Sequence, residues 1–340
     1  MRLVVLVFAA SVALAAVAAV IVQVMANEPA PRVESPQRAV AATAPDDCAQ
    51  RPYDRASPWN QPIGSRPRVH PRSGRYVRAI ADNRKPLTSD PDQYTPAVYA
   101  FDETTPLKSV RLAGYFSSYA GGDDSRKGHG FAPTISRIPI PEGTVAPSGS
   151  DGQVVLWNPE TGVEYSFWQF ERDSSGNYEA TNGYRYYTKA GYNGRFADGK
   201  AGRGAGLPYL AGLVRRCEID RQRIDHALAF AYDSPSSKFV HPASKSDGEG
   251  SAKDVPEGAR LQLDPKLDEG DFAKWRLPAE ARTIARALQR YGMYVVDNSG
   301  SSKIFLESRK TARWDDSIDT DLVSRIPWKA FRVVRPPARR

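Results

Sequence analysis

A chain of 340 residues, 41% of them hydrophobic, can bury the core of one large domain or of two small ones. With 25% charged and 10% aromatic residues it is not a wholly disordered chain, and 27 prolines without a period exclude collagen and an all-helical bundle. The net charge of +8 favours polyanionic partners, although the basic residues are dispersed and their densest group, Arg335, Arg339 and Arg340, is a terminal tail.

Leu3 to Val22 is an apolar run in which Ser11 is the only polar residue, preceded by Arg2. As a helix it would be ~30 Å long, enough to span a bilayer. Val24-Met25-Ala26 also offers the small residues that a signal peptidase needs. Residues 1–26 therefore read either as an anchor helix or as a cleavable signal, and in both cases the rest of the chain is expected outside the cytoplasm. The only membrane contact expected is through this segment. Residues 27–58 are rich in proline, alanine and charge without apolar periodicity, the composition of a linker. Two cysteines, Cys48 and Cys217, predict one disulfide in an oxidising compartment. They lie too far apart in sequence, and too far from any histidine, for a zinc site, so no metal or cofactor is expected.

Residues 59–334 read as the folded domain, with 335–340 as a basic tail. Short strands are predicted at 107–119, 134–140, 153–157, 163–170 and 178–188, with a hairpin turn over Asn158-Pro159-Glu160-Thr161-Gly162. The glycine-rich stretch 190–206 reads as a long exposed loop. Strict alternation over 225–232 puts His226, Leu228, Phe230 and Tyr232 on one face and Ala227, Ala229 and Ala231 on the other. Further strands follow at 259–264, 293–297 and 303–307. One helix is plain: Pro278 at its first turn, apolar residues at 281, 284, 285 and 288, and Gly292 at its end. The expectation is a mainly β protein, a jelly-roll-like β-sandwich with one packed helix.

No phosphate-loop, dinucleotide, calcium-hand or zinc-protease fingerprint occurs, and no serine sits in a nucleophile elbow. The series Ser57-Pro58-Trp59-Asn60, Ser150-Asp151-Gly152, Glu164 to Trp168, Ala211-Gly212-Leu213-Val214 with Glu218, Ile224 to Leu228, Gly258 to Leu261 and Tyr291-Gly292-Met293 with Asp297-Asn298 resembles a group of uncharacterised exported β-rich proteins of actinobacteria and acidobacteria. The resemblance covers roughly residues 57–334 and brings no activity with it. It reads Asp-Asn-Gly where this chain has Asp297-Asn298-Ser299-Gly300, a longer turn.

Bottom-up, His226 beside Asp225 is a candidate base, weighed against a satisfied core histidine. His241, before Pro242, is a candidate ligand contact at a strand end. Glu218, Asp220, Asp225, Asp264, Asp297 and Glu307 stand at strand ends or turns, where two carboxylates of a glycosidase could converge. A lyase acting on an acidic polymer would instead need a neutralising arginine and a base, for which Arg260, His226 and Tyr291 are available. Trp157 and Trp168 are the candidate sugar platforms. The expected function is action on polysaccharide, anionic by the charge balance, through hydrolysis or β-elimination. The alternative is a non-catalytic surface module that binds glycan or a protein. A monomer is expected, and no nucleic-acid partner, since no basic motif interleaved with aromatics occurs.

Overall fold

The alternation in β10 (Leu228–Tyr232) divides the core in two, because its large side chains and its alanines face opposite layers. The computed structural model describes residues 48, 51–82, 84–112, 134–196 and 202–335. The chain falls into two units, Met1–Ala39 and Val40–Arg340, and every described residue belongs to the second. The expected anchor or signal, residues 1–26, lies outside the described residues, as does the tail beyond Arg335. Among the described residues no helix is long and apolar enough to cross a membrane.

β10 sits inside a six-stranded mixed sheet. On one side it runs antiparallel to β15 (Ser302–Ile304), which pairs in parallel with β1 (Leu87–Ser89). On the other it is parallel to β14 (Met293–Asn298), followed by antiparallel β13 (Arg260–Leu263) and β16 (Phe331–Val334). Five helices occur among the described residues: α1 (Ser73–Asp82), α2 (Arg216–Asp220), α3 (Glu269–Lys274), α4 (Ala279–Arg290) and α5 (Arg309–Ala312). Tyr76, Val77 and Ile80 of α1 and Ala281, Ile284, Ala285 and Leu288 of α4 join Leu228, Phe230 and Tyr232 in one core. Burying each large apolar side chain there contributes about 1.5–3 kcal/mol. α4 starts and stops where its sequence says it should: Pro278 is the N-cap, and Gly292, at φ 68°, donates back to the Ala287 carbonyl.

Against the alanine face lies a second sheet, ordered β2 (Ala97–Ala100), β5 (Val154–Asn158), β6 (Val163–Trp168) and β9 (Asn182–Tyr187). Its Val98, Val155, Trp157 and Tyr184 join that core, while Ala97, Tyr99, Val154, Leu156 and Phe167 point the other way. There they meet a third sheet, β4 (Thr134–Pro139), β3 (Leu107–Leu112), β8 (Tyr178–Ala180) and β7 (Glu171–Arg172). A two-stranded ribbon, β11 (Ser236–Phe239) with β12 (Pro256–Glu257), completes the set.

The chain is mainly β, as its turn-punctuated sequence implies. Three stacked sheets and a helical layer stand where two sheets and one helix were expected. β1/β15, β10/β14, β2/β5 and β3/β8 are parallel pairs, which need long crossovers and leave no mark on local alternation. β3 covers the first part of the strand predicted at 107–119, whose remainder lies outside the described residues. The 178–188 strand divides into β8 and β9 at Thr181. The β5–β6 hairpin forms as predicted, with Asn158 opposite Val163 and Gly162, at φ 71°, donating to the Asn158 carbonyl at 2.8 Å.

Residues 51–58, read as linker, are already part of the folded body. Tyr53 is buried, and the Asn60 amide donates to the carbonyls of Pro52 and Asp54. The glycine-rich stretch is likewise less exposed than expected: Arg203 and Ala205 within it, and Leu207 just after it, are buried. Glycine is the reason. At Gly202, φ 77°, a Cβ would stand 2.2 Å from the Leu207 carbonyl oxygen.

The disulfide between Cys48 and Cys217 forms as predicted, with a Cα–Cα distance of 5.8 Å. It ties the entering arm to α2. Replacing both cysteines by serine should lower unfolding free energy by about 2–5 kcal/mol. Chemical denaturation of the two proteins without reductant measures this, and coincident midpoints would show that the bridge constrains nothing.

Candidate functional site

Three groupings of polar side chains stand out. The first is the pair His226–Glu218. Glu218 is in the first turn of α2, where its Oε2 accepts the Arg215 backbone N–H at 2.9 Å, a capping contact that fixes the carboxylate. Its Oε1 lies 3.0 Å from His226 Nε2, while His226 Nδ1 lies 2.9 Å from the Ala227 carbonyl oxygen. Both ring nitrogens thus face acceptors, so the geometry suits the doubly protonated ring. Burial opposes that charge, and Arg51 adds to the opposition. The Glu218 carboxylate, its hydrogen bond and the Ala227 carbonyl outweigh both, so the His226 pKa lies above the ordinary 6.5.

The cavity beside this pair, lined by Arg51, Trp59, Trp157, Arg215, Cys217 and His226, measures about 40 Å³. That admits water and excludes a sugar ring. Trp157 is buried here, with its indole N–H on Thr188 Oγ1 at 3.0 Å and the Arg215 guanidinium 5.3 Å above its ring. Arg215 in turn pairs with buried Glu307, whose other oxygen accepts from Thr311 at 2.7 Å.

Asp297 does not join His226 and Glu218. β10 and β14 are parallel, with Leu228 level with Met293, so His226 stands at the entry end of this pair and Asp297 at its exit end. At ~3.3 Å per residue they are about 15–20 Å apart. Tyr291 is buried at the His226 end, its hydroxyl 3.5 Å from Asp225 Oδ1, and Asp225 pairs with Arg223 at 2.7 Å. Asp220 pairs with Arg216 in the same helix, and Asp264 caps a turn at Lys266. Trp168 is half-buried and reaches Asp151 through its indole N–H at 3.4 Å.

The second grouping is a groove of about 750 Å³. Arg68, His70, His241, Arg260 and Arg335 line it among Pro58, Tyr76, Val240, Pro256, Tyr294, Val333 and Val334, and among the described residues no carboxylate contributes to its walls. Arg260 is held by donation to the carbonyls of Tyr291 (2.7 Å) and Gln61 (2.6 Å), with the Tyr294 ring 5.0 Å away. The Arg335 N–H donates to the Arg68 carbonyl at 2.8 Å, so the two arginines come from adjacent extended segments. His70 was not singled out by sequence. The Arg72 N–H donates to its Nδ1 at 3.1 Å, and burial together with Arg335 and Arg72 lowers its pKa. With Nδ1 accepting that N–H, the proton of the neutral ring is placed on Nε2. Of the residues expected from sequence, Arg260 and His241 share this groove.

A third grouping surrounds Asp297. Its carboxylate, with those of Asp247 and Glu257, forms a close cluster. Burial first, then the Asp247 charge, pushes Glu257 up to about 10 and Asp297 up to about 7. Buried Arg203 adjoins Asp297 and packs over the Phe305 ring at 3.9 Å. Lys303 donates to the Tyr94 carbonyl at 2.7 Å, and burial pulls its pKa down to about 8. Nearby Glu164 is buried and accepts from Ser166 (2.9 Å) and Tyr184 (2.8 Å), and burial raises its pKa too. Strand ends at Asp297 were visible in sequence, but Asp247 and Glu257 sit in a loop and a two-residue strand that carry no motif.

Comparison with known proteins finds no matching family model, curated protein or solved structure. The site must be read from its own chemistry.

The raised His226 pKa has a definite sign. Its contribution to stability is complete below the unfolded value of 6.5 and is lost as pH rises through the higher folded value. Melting temperature should therefore fall as pH increases through that window, and His226→Gln should flatten this component of the profile. His226→Ala should cost about 1–3 kcal/mol by leaving Glu218 short of a donor. Thermal melts of the three proteins from about pH 6 to 9 decide it, and parallel wild-type and His226→Gln profiles would show that His226 is not charged when folded.

Proposed function

We propose that this is an exported cell-envelope or secreted protein that binds an anionic polysaccharide in the groove of Arg68, His70, His241, Arg260 and Arg335. The observation that carries the reading is a concavity with five basic or imidazole side chains and, among the described residues, no carboxylate. Such a surface favours a polyanion over a neutral glycan, while Tyr76, Tyr294, Val240 and Val333 give the sugar faces apolar contact. The Cys48–Cys217 bridge fits an oxidising, extracytoplasmic setting, to which residues 1–26 would deliver the chain as signal or as anchor.

Hydrolysis needs two carboxylates flanking the bond, and the groove supplies none. β-Elimination is the second reading, favoured by one fact: Arg260, able to neutralise a uronate, lines the same groove as His241, a candidate base. Trp168 as a sugar platform belongs to neither version of the groove.

Affinity gels containing polygalacturonate should retard the full chain, and gels with neutral dextran should not. Rising salt should weaken the retention. The double variant Arg68→Ala, Arg335→Ala removes two exposed charges and should weaken binding about tenfold. Equal retardation by both gels, unaffected by salt, would sink the polyanion reading. Ultraviolet absorbance of an unsaturated uronide, lost in His241→Ala, would replace binding alone by elimination.

A further inference from the structure

Asp247, Glu257 and Asp297 each bring one carboxylate oxygen to within 4.8 Å of the others. They come from separate elements: the loop after β11, the ribbon strand β12, and the exit end of β14. Glu257 is completely buried, and neither of its oxygens meets a donor in good hydrogen-bonding geometry, although the Asp247 carboxylate and the Ser246 hydroxyl stand beside it. The neighbouring Ser246 hydroxyl donates instead to the Ser236 carbonyl at 3.0 Å. A buried carboxylate without donors is costly, and the partner that answers both oxygens at once is a cation.

We propose that Asp247, Glu257 and Asp297 form a calcium site that fastens the 244–250 loop to the end of β14. The donors are all oxygen, the choice of a hard cation over zinc or copper. The outer edge of the cluster is already held. The Gly204 N–H donates to Asp297 Oδ1 at 3.0 Å and the Asn298 N–H to Asp247 Oδ1 at 3.2 Å, so each carboxylate keeps its second oxygen for an ion. Gly204 is also what makes the room, since a Cβ there would stand 2.3 Å from Asp247 Oδ1.

Charge points the same way. Three carboxylates meet one adjoining guanidinium, Arg203, whose Nη2 donates to the Tyr209 carbonyl at 2.9 Å. Lys303 also contributes to the field at Asp297 but donates to the Tyr94 carbonyl. Asp247 is exposed, giving an entry path and water positions for the six to eight ligands that calcium takes. Oxygens no more than 4.8 Å apart lie within reach of two Ca–O bonds of about 2.4 Å, and an open, flexible site that can gather more than six oxygens suits calcium better than the strictly octahedral Mg²⁺. This inference does not rest on the polysaccharide reading.

Calorimetric titration of the chelator-treated full chain with CaCl2 should give saturable 1:1 binding, and calcium should raise the melting temperature by several degrees. MgCl2 at matched concentration should give a smaller shift. Asp247→Asn, a change at an exposed position, should weaken calcium binding at least about tenfold. Terbium emission sensitised by Tyr209, whose hydroxyl feels the Asp297 charge, and displaced by calcium gives a readout on the unaltered chain. No heat, no thermal shift and no sensitised emission would overturn the proposal and leave the cluster held by protons. A calcium response unchanged in a folded Asp247→Asn, or matched by magnesium, would overturn it as well.

Discussion

The approach of Gly212 to β10 is the contact on which the middle of the molecule depends. At φ 72° the Gly212 carbonyl accepts the Ala229 N–H at 2.9 Å, and a Cβ at Gly212 would lie 2.4 Å from the Trp59 ring and 2.5 Å from the Ala229 nitrogen. Only a residue without a side chain fits, and only against a strand face made of alanines. That face admits Trp59, whose indole N–H reaches the Gly194 carbonyl at 2.8 Å and whose carbonyl accepts the Ala227 N–H. It also admits Leu207, Leu210 and Leu213, and behind them the second sheet. The second sheet in turn has no open face, which is why β5 is buried at every position from Val154 to Asn158. Larger residues at 227, 229 and 231 would overfill that layer and disturb all three sheets.

Charge is distributed unevenly around this frame. Among the described residues the groove beside β16 gathers cations and no acids, the exit end of β14 gathers acids around one arginine, and the entry end of β10 holds a balanced pair. The balanced pair is structural in its economy: each nitrogen of His226 and each oxygen of Glu218 has a partner, and the cavity beside it has room only for water. The other two are unbalanced in opposite senses. Net charge alone reported their sum and concealed both.

Elements with a local signature were legible in the sequence. The 3.6-residue rhythm of α4 and its proline and glycine ends, the β5–β6 hairpin, the alternation of β10 and the cysteine pair all follow from residues close to one another or from a count of two. α1 was missed because Gly74, Arg75 and Arg78 dilute its apolar stripe of Tyr76, Val77 and Ile80. The order of strands in each sheet, the parallel pairs and the burial of Arg203 come from long-range packing, which leaves no periodic trace. The same holds for the sites. Arg260 and His241 were singled out separately, and their shared groove depends on β13 meeting the segment after β11. Asp297 stands apart from His226 and Glu218 because β10 and β14 run the same way, so residues at their opposite ends cannot meet.

The Cys48–Cys217 bond, across 169 positions, closes a covalent ring. Every strand of the second and third sheets, β2 to β9, is threaded within that ring, whereas β10 to β16 lie on the open arm beyond it. The two regions therefore differ in covalent continuity. A single peptide cut inside the ring opens it without releasing a fragment, so the severed sheets keep both ends attached to the molecule. A single cut on the open arm frees everything downstream of it, β14 and β16 included when it falls before Met293, to depart unless packing alone retains it. In a setting where proteases are common, the ring protects the layers most remote from the helices and leaves the carboxy-terminal strands to noncovalent forces.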